Sequence, residues 1–116
     1  MAKLSDKEKT KRADARAKER QQKRLRKISD EYIAKFHAGI RSLMHLMGTR
    51  EYREVIPAHI LKLKPLDRQI IISYLEGMDA ASIADITGLT PANIAMKIHR
   101  IKKILAHRIR EEQSHA

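Results

Sequence analysis

Residues 91–110 contain Lys97, Arg100, Lys102, Lys103, Arg108 and Arg110, with Asn93 and His99 among them, and no acidic residue. Asn and Arg side chains can bond base edges in bidentate fashion and lysines neutralise phosphates, so the chemistry this set offers is contact with a nucleic acid. A charged face on a helix is often only a solvated surface. Such a surface ordinarily mixes signs, because opposite charges at i and i+4 support one another, and the lack of any acid favours DNA over that plainer reading. Catalytic chemistry is thin. The six histidines, His37, His45, His59, His99, His107 and His115, make no i,i+4 pair beside a carboxylate of the kind metal sites use, and there is no glycine-rich phosphate loop. The sequence has no cysteine, which excludes disulfides, thiolate zinc sites and thiol catalysis. The expectation is a non-enzyme without cofactor or metal.

These residues need a helix to carry them. Thr90 is placed to cap it and Pro91 to open it, and the pattern continues to about Arg110. At about 100° per residue, Ile94, Ile98, Ile101, Leu105 and Ile109 form one stripe, with Ala92, Met96, His99, Arg100 and Lys103 opposite. Asn93, Lys97 and Lys102 fall toward the flanks of that outward face. Just upstream, "DAASIADITG" predicts a short helix with Asp79 as N-cap and Gly88 as its stop. Two helices joined by a tight turn, the second longer and basic, make a helix-turn-helix. Ala84 suits the close crossing, Gly88 the turn and Leu89 the corner, with Ile83, Ile94 and Ile98 filling the space between.

Further upstream, "KPLDRQIIISYLEG" predicts a helix with Pro65 near its first position, Leu66, Ile70 and Tyr74 on one face, Ile71 and Leu75 beside them, and Gly77 as the stop. "REYREVIPAHILKL" reads as a helical segment that Pro57 either starts or kinks. "SDEYIAKFHAGIRSLMHLMG" spaces Ile33, Phe36, Ile40, Leu43 and Met47 by three and four, an amphipathic helix capped by Ser29 or Asp30 and ended by Gly48. Its stripe reads as core, or as a face for a partner helix. Residues 1–27 hold twelve basic and four acidic residues, with Leu4 and Leu25 nearly the only large apolar side chains. That composition predicts a disordered or lone-helical arm, either gripping phosphate or merely solubilising the chain.

The chain has 116 residues, a net charge of +11 and a pI near 10.2, room for one small domain with an appendage and reason to expect an anionic partner. No apolar run approaches the ~18 residues of a membrane span, and the N-terminus lacks a signal peptide's apolar middle. A cytoplasmic protein, without a membrane partner, is expected. The only aromatic residues, Tyr32, Phe36, Tyr52 and Tyr74, are too few for a base-stacking sheet. The expected fold is all-α: a basic N-terminal arm over 1–28, an amphipathic helical segment over 29–62, and a helix-turn-helix domain over 63–112.

The stretch "LKPLDRQIIISYLEGMDAASIADITGLTPANIAMKIHRIKKIL", residues 63–105, resembles region 4 of the sigma-70 family, in the pattern of the extracytoplasmic-function sigma factors. The shared features are "LDR", the "YLEG" helix end, the "IADITG" positioning helix and "NIAMKIHRIKKIL" as recognition helix. The resemblance implies recognition of a minus-35-like promoter element in double-stranded DNA by the last helix, and docking on the β-subunit flap of RNA polymerase. Carried over by position, it implies DNA contacts from Asn93, Ala95, Met96, Lys97, His99, Arg100 and Lys102, with Thr90 and Pro91 near a phosphate at the helix N-terminus. Lys103 joins them from its place on the outward face. Ala95 and Met96 depart from the polar pattern, and Met96 suits a thymine methyl at most.

Residues 1–60 show no recognisable region 2, the promoter-melting part of a sigma factor. The chain is therefore expected to be a fragment, one subunit of a split factor, or a regulator built on region 4. The alternative function is a protein-interaction module that mimics region 4 and binds the polymerase flap or an anti-sigma protein; a co-sigma protein is a further candidate partner. Oligomeric state, operator and direction of regulation stay open.

Overall fold

The computed structural model describes residues 5–28 and 49–114, and within them every regular element is helical. The order is α1 (Asp6–Lys27), α2 (Thr49–Leu61), α3 (Pro65–Leu75), α4 (Ala80–Thr87) and α5 (Pro91–Ser114). The helix expected from Ser29 to Gly48, with Ile33, Phe36, Ile40, Leu43 and Met47, lies outside the described residues.

Packing is organised around α3 and α5. Helix α5 lies against α2, α3 and α4, and α3 against α1, α2, α4 and α5. The core collects Ile56, Ile60, Ile70, Ile71, Ile72, Leu75, Ile83, Ile94, Ile101, Leu105 and Ile109, all buried. Fully burying one such side chain stabilises the fold by roughly 1.5–3 kcal/mol relative to exposure, so this aliphatic cluster supplies the main cohesive term.

One upstream expectation is narrowed and two need correction. Of the two roles open to Pro57, starting a helix or kinking one, the first falls away: it lies within the 13-residue α2, where it removes the amide that would have bonded Arg53's carbonyl. Its neighbours Ile56, His59 and Ile60 are all buried, and their packing holds the segment helical without that bond. Leu66, expected on α3's apolar face, is 42% exposed, whereas Ile72, Ser73 and Arg68 are buried. Helix α3 is enclosed on more than one side, so a single-stripe pattern does not describe it.

The other correction concerns the N-terminal segment. Over its described residues, 5–28, it is neither disordered nor a lone helix: α1 packs on α2 and α3. Ser5 accepts the amide of Glu8 at its N-terminus, and Arg24, Arg26 and Lys27 occupy the last turn, where cations suit the helix dipole. Only Leu25 and Gln21 of this helix are buried, so polar bonds do much of the docking. Arg68 of α3, 1% exposed, donates from Nε to Gln21 Oε1 (2.8 Å), from Nη2 to Asp14 Oδ1 (2.6 Å), and from Nη1 to the Leu63 carbonyl (3.2 Å). The hydrogen bond from Arg68 holds the Asp14 carboxyl below the usual carboxylate range. One turn or more further on, Arg24 pairs with Glu76 and donates to Gln69 Oε1 (3.0 Å).

Candidate nucleic-acid interface

The turn between α4 and α5 is built by local hydrogen bonds. Asp79 accepts the amide of Ser82 at 2.8 Å, fixing the start of α4, and that bond keeps the Asp79 carboxyl below its usual range. Gly88 then adopts a left-handed conformation, φ 78 and ψ 8, while its amide reaches back to the Ala84 carbonyl at 2.8 Å. A residue with a Cβ meets a steric penalty in that conformation, which is why glycine ends this helix. Thr87 Oγ1 donates to the Ile83 carbonyl (2.9 Å), and Leu89 is half-buried against the core.

Helix α5 begins with an equally clear signal. The amide of Asn93 donates to Thr90 Oγ1 at 3.2 Å, and that of Ile94 to the Thr90 carbonyl at 3.0 Å. Pro91 has no amide to satisfy. Ile83 and Ala84 of α4 and Ile94 and Ile98 of α5 are buried, which fixes the crossing of the two helices and hence the direction of α5's outer face.

That outer face carries most of the candidates. Thr90, Pro91, Ala92, Asn93, Ala95, Met96, His99, Arg100 and Lys103 are all exposed, Met96 at 67%. Lys97 and Lys102 are placed differently. Lys97 Nζ lies 3.6 Å from Asp67 Oδ1, and Lys102 Nζ sits 4.8 Å from the centre of the Tyr74 ring and donates to its hydroxyl at 3.3 Å. Both lysines, half-buried, lean back onto α3 and tie it to α5. An ammonium over an aromatic face is worth about 0.5–1 kcal/mol at an exposed site, so these contacts help set the angle at which α5 is presented.

The face is polar but short of base-reading groups at its start. Asn93 is the one side chain in the first turn able to bond a base edge in two places, beside the methyls of Ala92 and Ala95 and the thioether of Met96. Cations follow a turn later, at Arg100 and Lys103, where contact with phosphate needs no fixed geometry. The same side of the helix continues through exposed His107, which lies 3.1 Å from Glu111, and exposed Arg110, so the first acid follows only at Glu111. Behind it, buried His59 of α2 bonds Glu112 Oε2 through Nε2 at 2.5 Å and anchors the far end of α5. Neither that anchor nor Arg68 shows in the sequence pattern, because each depends on a partner far along the chain. Among the described residues no group of His, Asp and Glu could hold a metal ion, and no helix is long and apolar enough to cross a membrane.

Compared with known families, residues 51–105 match the family described as Sigma-70, region 4. No curated protein and no solved structure matches the chain significantly. The matched stretch takes in most of α2, all of α3 and α4, and α5 as far as Leu105. Those 55 residues, just under half of the chain, are similar to that region.

Proposed function

We propose, taking the sigma-70 region 4-like domain as premise, that this chain binds promoter DNA through α5 and contacts RNA polymerase in transcription initiation or its regulation. In this reading the first turns of α5, with Asn93, Ala95 and Met96, enter the major groove at a minus-35-like element. Thr90 and Pro91 lie at a phosphate beside the helix N-terminus. His99, Arg100 and Lys103 meet the backbone or the base edges beyond, while Lys97 and Lys102 serve first as ties to α3 and reach phosphate only by leaving them. The observation that carries the proposal is the exposed, acid-free face of α5 from Ala92 to Lys103, held outward by a capped helix-turn-helix.

The test replaces Arg100 and Lys103 by Ala in one chain and measures both promoter binding by footprinting and co-purification with core RNA polymerase. Both side chains are exposed, so the fold should survive. Promoter affinity should fall by about tenfold to a hundredfold, the size expected when one or two bonds to DNA are removed at ~1.4 kcal/mol per tenfold, with polymerase binding retained.

A second reading rests on exposed apolar side chains: Met96 on the reading face and Ile86, 61% exposed, on α4. They suit a protein surface, such as the polymerase flap or an anti-sigma protein, better than a phosphate backbone. Promoter binding that survives the double substitution, together with polymerase capture abolished by Ile86→Asp and Met96→Asp, would select this reading.

A further inference from the structure

Helix α1 has two faces that differ in kind. The docked face runs through Asp14, Gln21 and Leu25, each bonded to or packed on the rest of the fold. On the opposite side, at about 100° per residue, Lys9, Arg12, Arg16, Arg20, Lys23 and Lys27 follow one another at intervals of three and four. All six are exposed, and the row they form contains no acid; Glu8 and Glu19 lie to one side of it. From the first to the last, eighteen residues at about 1.5 Å each give a straight cationic ridge of roughly 27 Å.

We infer that this ridge is a second nucleic-acid contact, gripping the sugar-phosphate backbone of duplex DNA without reading its sequence. Three observations carry the choice of partner. The cations are evenly spaced along a rigid rod, as suits a polymer with one negative charge per ~1.7 Å of axis. The Arg68 bonds to Gln21 and Asp14 fix the rotation of α1 about its own axis, so the ridge is aimed at solvent before any ligand arrives. No aromatic residue occurs in α1, and single strands are gripped largely by stacking bases on such rings, which disfavours single-stranded RNA. Helix α1 packs on α2 and α3 and does not touch α5, so the ridge forms a surface separate from the proposed reading face.

The test uses the full chain with Arg12, Arg16, Arg20 and Lys23 replaced by Gln, a residue of similar helix propensity. Binding is followed by fluorescence anisotropy on a random-sequence duplex, a promoter duplex and a single-stranded RNA, between about 50 and 200 mM salt, the range over which counterion release is steep. Affinity for both duplexes should fall by the same factor, about tenfold or more at the lower salt. The log–log salt slope should flatten by about 0.9 for each phosphate that the variant leaves without a cation. A companion chain with Arg12→Lys, Arg16→Lys and Arg20→Lys should bind like the unaltered protein, because charge alone is needed, and circular dichroism should show both variants folded. Unchanged duplex affinity and slope in the Gln variant would overturn the inference, as would a decrease confined to RNA or to polymerase capture. If the unaltered chain shows no preference for promoter over random duplex, the reading role of α5 fails. A ridge-dependent affinity for random duplex would still uphold the inference in that case.

Discussion

At the scale of single residues, Gly88 shows how one position decides the geometry of the proposed interface. A Cβ built there meets nothing within 4 Å, so space does not require glycine; the φ of +78 does. Gly88→Ala should therefore destabilise the fold by about 1–2 kcal/mol, the left-handed penalty for an L-residue, with no added clash. Gly88→Asn, whose side chain tolerates this region, should cost less. Thermal unfolding of the two variants checks the order, and an alanine variant as stable as the parent would contradict it. Gly88, Asp79 and Thr90 were legible in the sequence because each acts on its immediate neighbours through a bond or a dihedral. Lys97 and Lys102 were not. Their spacing gives an angle on the helix, but their contacts depend on Asp67 and Tyr74 of α3, and no local pattern records where those side chains lie.

Among the elements, α3, α4 and α5 could be read in advance because proline, caps and glycine punctuate them and isoleucines mark their buried sides. Helix α1 resisted the same reading. Its docked face is nearly all polar, so hydrophobic periodicity carries no signal of it, and the decisive partner is a buried arginine on another helix. This makes the docking pH-sensitive in a determined direction. Asp14 has its carboxyl lowered by the Arg68 hydrogen bond in the docked state, so undocking at low pH takes up a proton. The stabilisation is complete above the ordinary carboxylate value of 3.8 and is lost as pH falls through the lower, docked value. Protection of α1 amides against hydrogen exchange, corrected for the intrinsic pH effect, should drop in that acidic window more than protection of α5. Asp14→Asn, which cannot ionise, should remove the difference between the helices' pH responses. A parent chain with pH-independent protection in α1 would show that Asp14 does not govern the docking.

For the whole molecule, the net charge of +11 gives salt two opposite effects. In the free protein the excess cations repel one another, so the folded state carries an electrostatic cost that screening relieves; the Debye length shortens from ~30 Å at 0.01 M to ~8 Å at 0.15 M. Screening also weakens ion pairs such as Lys18 with Asp14, but that pair is partly exposed, and such pairs contribute only about 0–1 kcal/mol each. The repulsion should dominate, and relief of roughly half a kcal/mol would raise Tm by about 2–4 °C in a domain of this size. DNA binding should move the other way over the same interval, because each phosphate contact that releases a counterion loses its advantage as salt rises. Thermal unfolding and duplex binding, measured on one preparation in sodium chloride from about 0.01 to 0.15 M, separate the two effects. A Tm that fell with salt would mean that specific ion pairs such as Arg68 with Asp14 outweigh the excess charge, and that α1, with most of that charge on its outer face, is held by electrostatics strong enough to survive its own repulsion.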